Sequence, residues 1–209
     1  MNENCPTIDR PNPFSTRFVR PGAVEYVFSE GEGARRMVAR LKDAAWRGQI
    51  VGPHGSGKSA LLATLVPVIQ EAEMNPLLVE LHNGQRRLPV APERLALERG
   101  RSLLIVDGYE QLGRWYRFRL GRFCRWRGIG LLITSHRPMG LPTLHRTSPT
   151  VELVRAVVEK LLADERCEDA SLARPNTTEI QTAFARHGGD VRETLFELYD
   201  LYEQRRRER

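Results

Sequence analysis

The sequence predicts an α/β protein of three layers, a five-stranded and mainly parallel sheet between helices, followed by a small helical unit. Three observations predict it. Short apolar runs at Gln49–Val51, Pro76–Leu81, Ser102–Val106, Ile129–Thr134 and Thr150–Val154 alternate with helical or loop segments, the pattern of strands buried on both faces. A glycine-rich turn joins the first run to a helical stretch. After residue 154 the apolar spacing becomes that of helices alone.

The elements follow in chain order. Residues 1–22 hold Pro6, Pro11, Pro13 and Pro21 with little periodicity and read as an extended arm. From Ala34 to Trp46, the positions of Met37, Val38, Leu41, Ala44 and Ala45 share one helical face, and Gly48 is the expected end of that helix. Residues 59–73 read as a helix kinked at Pro67, which cannot donate to Ala63. Beyond the fifth run, Val154, Val157, Val158, Leu161 and Leu162 form a helical stripe. Pro175-Asn176 then introduces a helix from about Thr177 to Arg186, and His187-Gly188-Gly189 makes a turn. Asp190 with Glu193 is expected to form a capping box for a last helix carrying Val191, Leu195, Leu198, Tyr199 and Tyr202. The expected organisation is an arm (1–22), a core (23–154) and a helical unit with a basic tail (155–209).

With 209 residues, 41% hydrophobic and 28% charged, the chain has the composition of a soluble globular protein and not of a disordered or collagenous one. No run approaches the ~18 apolar residues of a membrane span, and the amino terminus has no apolar signal core, so no membrane contact and a cytoplasmic address are expected. Cys5, Cys124 and Cys167 lie far apart without CxxC spacing and read as plain thiols. Lys plus Arg is 32 against 26 for Asp plus Glu, a net charge of +6, which suits contact with a polyanion. The excess is concentrated in Arg205, Arg206, Arg207 and Arg209 and in the run Arg114–Arg127.

Gly52-Pro53-His54-Gly55-Ser56-Gly57-Lys58-Ser59 fits the pattern G-x-x-x-x-G-K-[ST] between a strand and a helix, the context that gives this motif its meaning. Glycines let backbone N–H groups turn inward around phosphate oxygens at a helix N-terminus, where the dipole adds attraction. Residues from Gly52 to Ala60 would form the cradle, Lys58 would reach the β- and γ-phosphates, and Ser59 would hold Mg²⁺. Leu103-Leu104-Ile105-Val106-Asp107 is an apolar strand ending in a carboxylate suited to Mg²⁺. Glu110 is the candidate general base for an attacking water, or else a capping or solvated acid. Leu131-Leu132-Ile133-Thr134-Ser135-His136 is another apolar strand with a polar end, able to orient a water or touch a γ-phosphate, or simply to begin a turn.

Together these segments resemble the P-loop ATPases of the AAA+ and related signal-transduction (STAND) type, over roughly residues 14–203. Walker A (Gly52–Ser59), Walker B (Leu103–Asp107) and sensor 1 (Thr134, Ser135) occur in the family's order. The resemblance implies a three-layer P-loop NTPase with a C-terminal helical lid, ATP and Mg²⁺ as ligands, and ATP hydrolysis coupled to a partner protein or to self-association. It also implies that Asn12-Pro13-Phe14 and Arg17-Phe18-Val19 form the lead-in near the adenine, and that Arg192, after Gly188-Gly189-Asp190-Val191, is the sensor 2 arginine. Typical AAA+ members place Glu directly after the Walker B Asp, whereas Gly108 and Tyr109 intervene here. Arg137 and Arg146 are the residues placed to reach a neighbour's nucleotide.

No Asn-Lys-x-Asp guanine motif occurs, which disfavours GTP. A small-molecule or nucleotide kinase would fit the same loop, and strand order discriminates the two readings. The kinase sets the Asp107 strand beside the Ile50 strand, and the ATPase sets the Ile129 strand between them. A third reading is a weakly hydrolysing ATP switch that binds nucleic acid through the stripe between Arg114 and Arg127. There Arg114, Arg117, Arg122 and Arg125 fall near one helical face, with Leu112, Trp115, Tyr116, Leu120 and Phe123 expected largely on the other. Such arginines would contact phosphates, or would be only a solvated face.

Overall fold

A computed structural model describes residues 12, 14–15, 26–28, 31–82, 84–95, 97–163 and 174–208. The chain divides into two compact units, Glu25–Ser148 and a helical unit of Pro149–Arg209 joined by the N-terminal segment.

The first unit contains β1 (Arg47–Val51), β2 (Asn75–Glu80), β3 (Ser102–Asp107), β4 (Gly130–Ser135) and β5 (Thr143–Arg146). With them run α1 (Ala34–Asp43), α2 (Lys58–Glu71) and α3 (Arg114–Arg127). The sheet order is β2-β3-β4-β1-β5, and every pairing is parallel. β4 therefore separates β1 from β3, the order required by the ATPase alternative and not by the kinase.

Period-2 alternation splits the strands between two cores. Leu103, Ile105 and Leu132 pack with Met37, Leu41, Leu61, Leu65 and Ile69 on one face of the sheet. Leu104, Val106, Leu131 and Ile133 pack with Leu120, Cys124 and Leu112 on the other. This is why the central strands read as unbroken apolar runs: each residue in turn meets a different helical layer. Burial also pushes the Cys124 thiol up to about 11, in keeping with an inert core thiol. Cys5 and Cys167 lie outside the described residues.

Two local expectations are corrected. The fifth strand is Thr143–Arg146 and not Thr150–Val154, since residues 151–162 form α4 (Val151–Leu162). Thr150 is its N-cap, the hydroxyl accepting from the Leu153 N–H at 3.2 Å, and this local bond outweighs the β-branched character of the run. Secondly, α1 ends at Asp43, and the chain reverses through Ala45 and Trp46 at φ 53° and 59°. Gly48 instead lies inside β1, where a Cβ would stand 2.5 Å from the Leu144 side chain. Helix α2 runs through Pro67, as the periodicity predicts, with Pro67 at an exposed position.

The helical unit comprises α4, α5 (Thr177–Arg186) and α6 (Val191–Arg207). Val154, Val158, Ile180, Leu195 and Leu198 form its core together with Phe14, which is fully buried and meets the Tyr202 ring edge-on at 5.9 Å. Asn12 donates to the Tyr199 carbonyl at 3.1 Å and to Glu203 at 2.8 Å. The described part of the expected adenine lead-in is thus built into this unit, while Pro13, Arg17, Phe18 and Val19 lie outside the described residues. The reciprocal capping box belongs to Asn176 and Glu179. At Asp190 the carboxylate accepts from the Arg192 and Glu193 N–H groups, and no return bond from Glu193 accompanies it among the described residues. No described helix is long and apolar enough to cross a membrane.

Candidate functional site

The glycine-rich loop leaves the carboxyl end of β1 and enters α2 with Gly55 at φ 62° and Gly57 at φ 86°. Gly57 is the N-cap and supplies no side-chain acceptor, so the first N–H groups of α2 remain available to an anion. The Lys58 side chain is buried and folds back along the loop, donating to the Gly52 carbonyl at 2.8 Å and the Pro53 carbonyl at 2.5 Å.

Beside this turn, groups from three segments converge. The Ser59 hydroxyl donates to Asp107 Oδ2 at 2.6 Å, and the Thr134 hydroxyl donates to Asp107 Oδ1. The Gly108 N–H in turn donates to Thr134 Oγ1 at 2.9 Å. Register explains the meeting: Val106 pairs with Ile133, so Asp107 and Thr134 emerge side by side at the carboxyl edge. The helix following β1 carries Ser59 to the same edge. A hydroxyl and a carboxylate are hard oxygen donors of the kind Mg²⁺ takes when phosphates complete its coordination. Ser59 and Asp107 are such a pair, 2.6 Å apart, and among the described residues no group of three or more His, Cys, Asp or Glu side chains could hold a metal ion.

Glu110 sits in a 3₁₀ turn, Tyr109–Gln111, that Gly108 opens at φ 79°. Its Oε1 lies 3.1 Å from His136 Nε2, and its Oε2 is buried with no hydrogen-bond partner among the described residues. The His136 ring meets the His54 ring of the loop at 3.6 Å between centroids and 86°. Burial holds the His136 pKa below its ordinary value, opposed by Glu110 and reinforced by Lys58 and His54, which favours the neutral imidazole with Nε2–H directed at the carboxylate. Sequence spacing named Glu110 and His136 separately but held no signal for their pairing.

Other contacts were likewise illegible in the sequence. Ser56 Oγ and Thr147 Oγ1 are 2.6 Å apart and buried, and Ser56 also donates to the Pro53 carbonyl at 2.8 Å. A Cβ on Gly52 would stand 1.8 Å from Thr147 Oγ1 and 2.7 Å from the Thr147 carbonyl. Gly52→Ala is therefore expected to lower the stability of this unit by about 1–3 kcal/mol through overpacking, measured as a fall in Tm of at least about 2 °C. On the other side of the loop the Tyr26 ring would lie 3.4 Å from a Cβ at Gly57. Its hydroxyl is 3.1 Å from His145 Nε2, and His145 Nδ1 is 3.2 Å from Glu32. Burial, then Glu32, raises the Tyr26 pKa, so Tyr26 serves as a neutral wall to the loop.

Ser135 adjoins the loop through its backbone, its carbonyl accepting from the Gly52 N–H at 3.1 Å. Ser135 is buried and donates to the Arg137 carbonyl at 2.7 Å, and the Arg137 and Arg146 side chains are exposed. Arg192 belongs to the helical unit, exposed in the first turn of α6.

The chain resembles two solved structures of Thermotoga maritima RuvB, each of a single-site variant. One matches with 17% identity and a TM-score of 0.51 over 81% of this chain and 60% of that one. The other matches with 16% identity and a TM-score of 0.50 over 79% and 59%. The Walker-type ATPase PABY2304 of Pyrococcus abyssi aligns over 93% of this chain and 80% of that one, with 14% identity and a TM-score of 0.47. This chain has a P-loop NTPase-like α/β fold. Its alignments span about 60% of the length of the RuvB chains. No protein-family profile matches the sequence, and no curated protein does.

Proposed function

We propose that the protein binds ATP·Mg²⁺, hydrolyses it to ADP and phosphate, and passes its nucleotide state to a partner. The observation that supports this reading is the convergence of Ser59, Asp107 and Thr134 beside an uncapped helix N-terminus. The backbone from Gly52 to Ala60 would hold the β- and γ-phosphates, and Lys58 would add a positive charge between them. Ser59 and Asp107 are the residues that would hold Mg²⁺, which when bound neutralises charge developing on the phosphate oxygens. Thr134, with its hydroxyl tied to Asp107, would hold the carboxylate in place.

Glu110 would take a proton from water as its oxygen bonds to the γ-phosphorus, while the bond from that phosphorus to the β,γ-bridging oxygen breaks and ADP departs. His136 is the positioning residue that fixes Glu110 through its 3.1 Å contact. The helical unit would act as the lid, with Arg192 sensing the γ-phosphate. Arg137 or Arg146 would serve a neighbouring copy in a self-associated form. The same reading places the protein in the cytoplasm. Phosphate release from ATP·Mg²⁺, measured alone and with candidate partners, tests the proposal, and the absence of any Lys58-dependent release would refute hydrolysis.

Arg192 gives a separate prediction. In the wild type, ATP should protect the chain from limited proteolysis differently from ADP, and Arg192→Ala should shrink that difference. Equal protection by both nucleotides in the wild type would remove the switch.

A further inference from the structure

Helix α3 presents to solvent a face that the phosphate chemistry does not use. The residues facing the sheet are Leu120 and Cys124, so the opposite side of the helix is set free. Trp115, Phe118 and Trp126 are 71%, 61% and 75% exposed, the three most exposed large hydrophobic side chains described. The expectation that Trp115 sits opposite the arginines is thereby corrected: it shares their face. Arg117, expected in the stripe, is partly buried and donates to the Met139 sulfur at 3.0 Å.

Arg114, Arg119, Arg122 and Arg125 are exposed between and beside these rings. The helix, RWYRFRLGRFCRWR, contains no acidic residue. Among the described residues no carboxylate forms an ion pair with any of its arginines. Trp115 and Phe118 stack, with centroids 5.8 Å apart and planes at 23°, which presents a flat pair of rings. Trp126 lies about 16 Å farther along the helix axis at 1.5 Å per residue.

We propose that this face binds single-stranded nucleic acid, the rings stacking on bases and the arginines meeting the backbone. Unpaired guanidinium groups are complementary to phosphates spaced along a strand. Exposed aromatic faces are complementary to unstacked bases, which a duplex does not offer. A bilayer-inserting helix instead segregates an apolar face from a charged one, and in α3 the rings and arginines are intermixed on one side. Backbone charge and ring stacking carry no base-edge readout, so sequence preference is slight. This inference goes beyond the ATPase reading and does not depend on it, because its test needs no nucleotide.

The test is fluorescence anisotropy of the full chain with a labelled oligothymidine, the matching duplex, and vesicles of anionic lipid, at several salt concentrations. Single strand should bind more tightly than duplex, with quenching of tryptophan emission. The slope of log K against log salt should be about −2 to −3, for three or four phosphates at about 0.7 each. Trp115→Ala/Trp126→Ala should weaken single-strand binding about tenfold or more while leaving that slope nearly unchanged. The corresponding double substitution to Phe should retain most of the affinity. Arg119→Ala/Arg122→Ala should instead flatten the slope by about one unit. All four positions are exposed, and far-ultraviolet circular dichroism with thermal melting verifies that the variants fold. The proposal is overturned by unchanged affinity in the tryptophan pair, by equal binding of duplex, or by binding to vesicles alone. It is also overturned by loss only in Arg205→Ala/Arg206→Ala/Arg207→Ala, or by no binding of any form at low salt.

Discussion

Lys58→Ala is expected to weaken binding of a fluorescent ATP analogue by at least about a hundredfold. The side chain is held within the loop by the Gly52 and Pro53 carbonyls, at 2.8 and 2.5 Å, so its ammonium group is already positioned at the mouth of the phosphate cradle. A hydrogen bond to a charged group contributes about 1.5–3 kcal/mol, and Lys58 would serve two phosphates. Loss of one such contact corresponds to about a tenfold to hundredfold change in Kd. Because Lys58 is buried, its removal also takes a donor from the Gly52 carbonyl, while the Pro53 carbonyl keeps the Ser56 hydroxyl, and a thermal melt of the nucleotide-free variant separates that cost from lost affinity. Unchanged affinity in a folded Lys58→Ala protein would remove the nucleotide reading altogether.

Glu110→Gln is expected to leave ATP affinity within about twofold and to lower turnover by about a hundredfold or more, the scale of a lost general base. Gln keeps the shape and an acceptor for His136 Nε2–H, so the 3.1 Å contact survives in kind. What disappears is the basicity of an oxygen, Oε2, that is buried and without a partner among the described residues. Asp107→Asn should behave differently. Its two carboxylate oxygens each accept a hydroxyl, from Ser59 and from Thr134, and an amide offers one oxygen to the two donors. The variant should lose Mg²⁺-dependent nucleotide binding and about 1–3 kcal/mol of stability, the cost of an unsatisfied buried donor. Phosphate-release kinetics and a Mg²⁺ titration of analogue binding distinguish the two effects. Wild-type turnover in Glu110→Gln would make Glu110 a structural partner of His136 only.

What the sequence determined by itself was the part of the protein governed by local chemistry. The turn from Gly52 to Ser59 was legible because positive φ at Gly55 and Gly57 needs glycine, and because strand and helix flank it within a few residues. Strands β3 and β4 were legible because burial on both faces makes Leu103–Val106 and Leu131–Ile133 unbroken apolar runs. Edge strand β5 was not: it pairs only with β1, and of its four residues only Leu144 is buried, so its composition resembles a loop. Long-range pairings were decided by the tertiary structure alone. Ser56 meets Thr147, 91 residues away, and Glu110 meets His136 at the end of the next strand, because parallel register brings strand ends together, and no local pattern encodes such a partner. The same holds for α3. A helix with arginines and aromatic rings on every side has no strong apolar stripe, so periodicity could not choose which face meets the sheet. Packing of Leu120 and Cys124 made that choice and left Trp115, Phe118 and Trp126 in solvent beside the arginines.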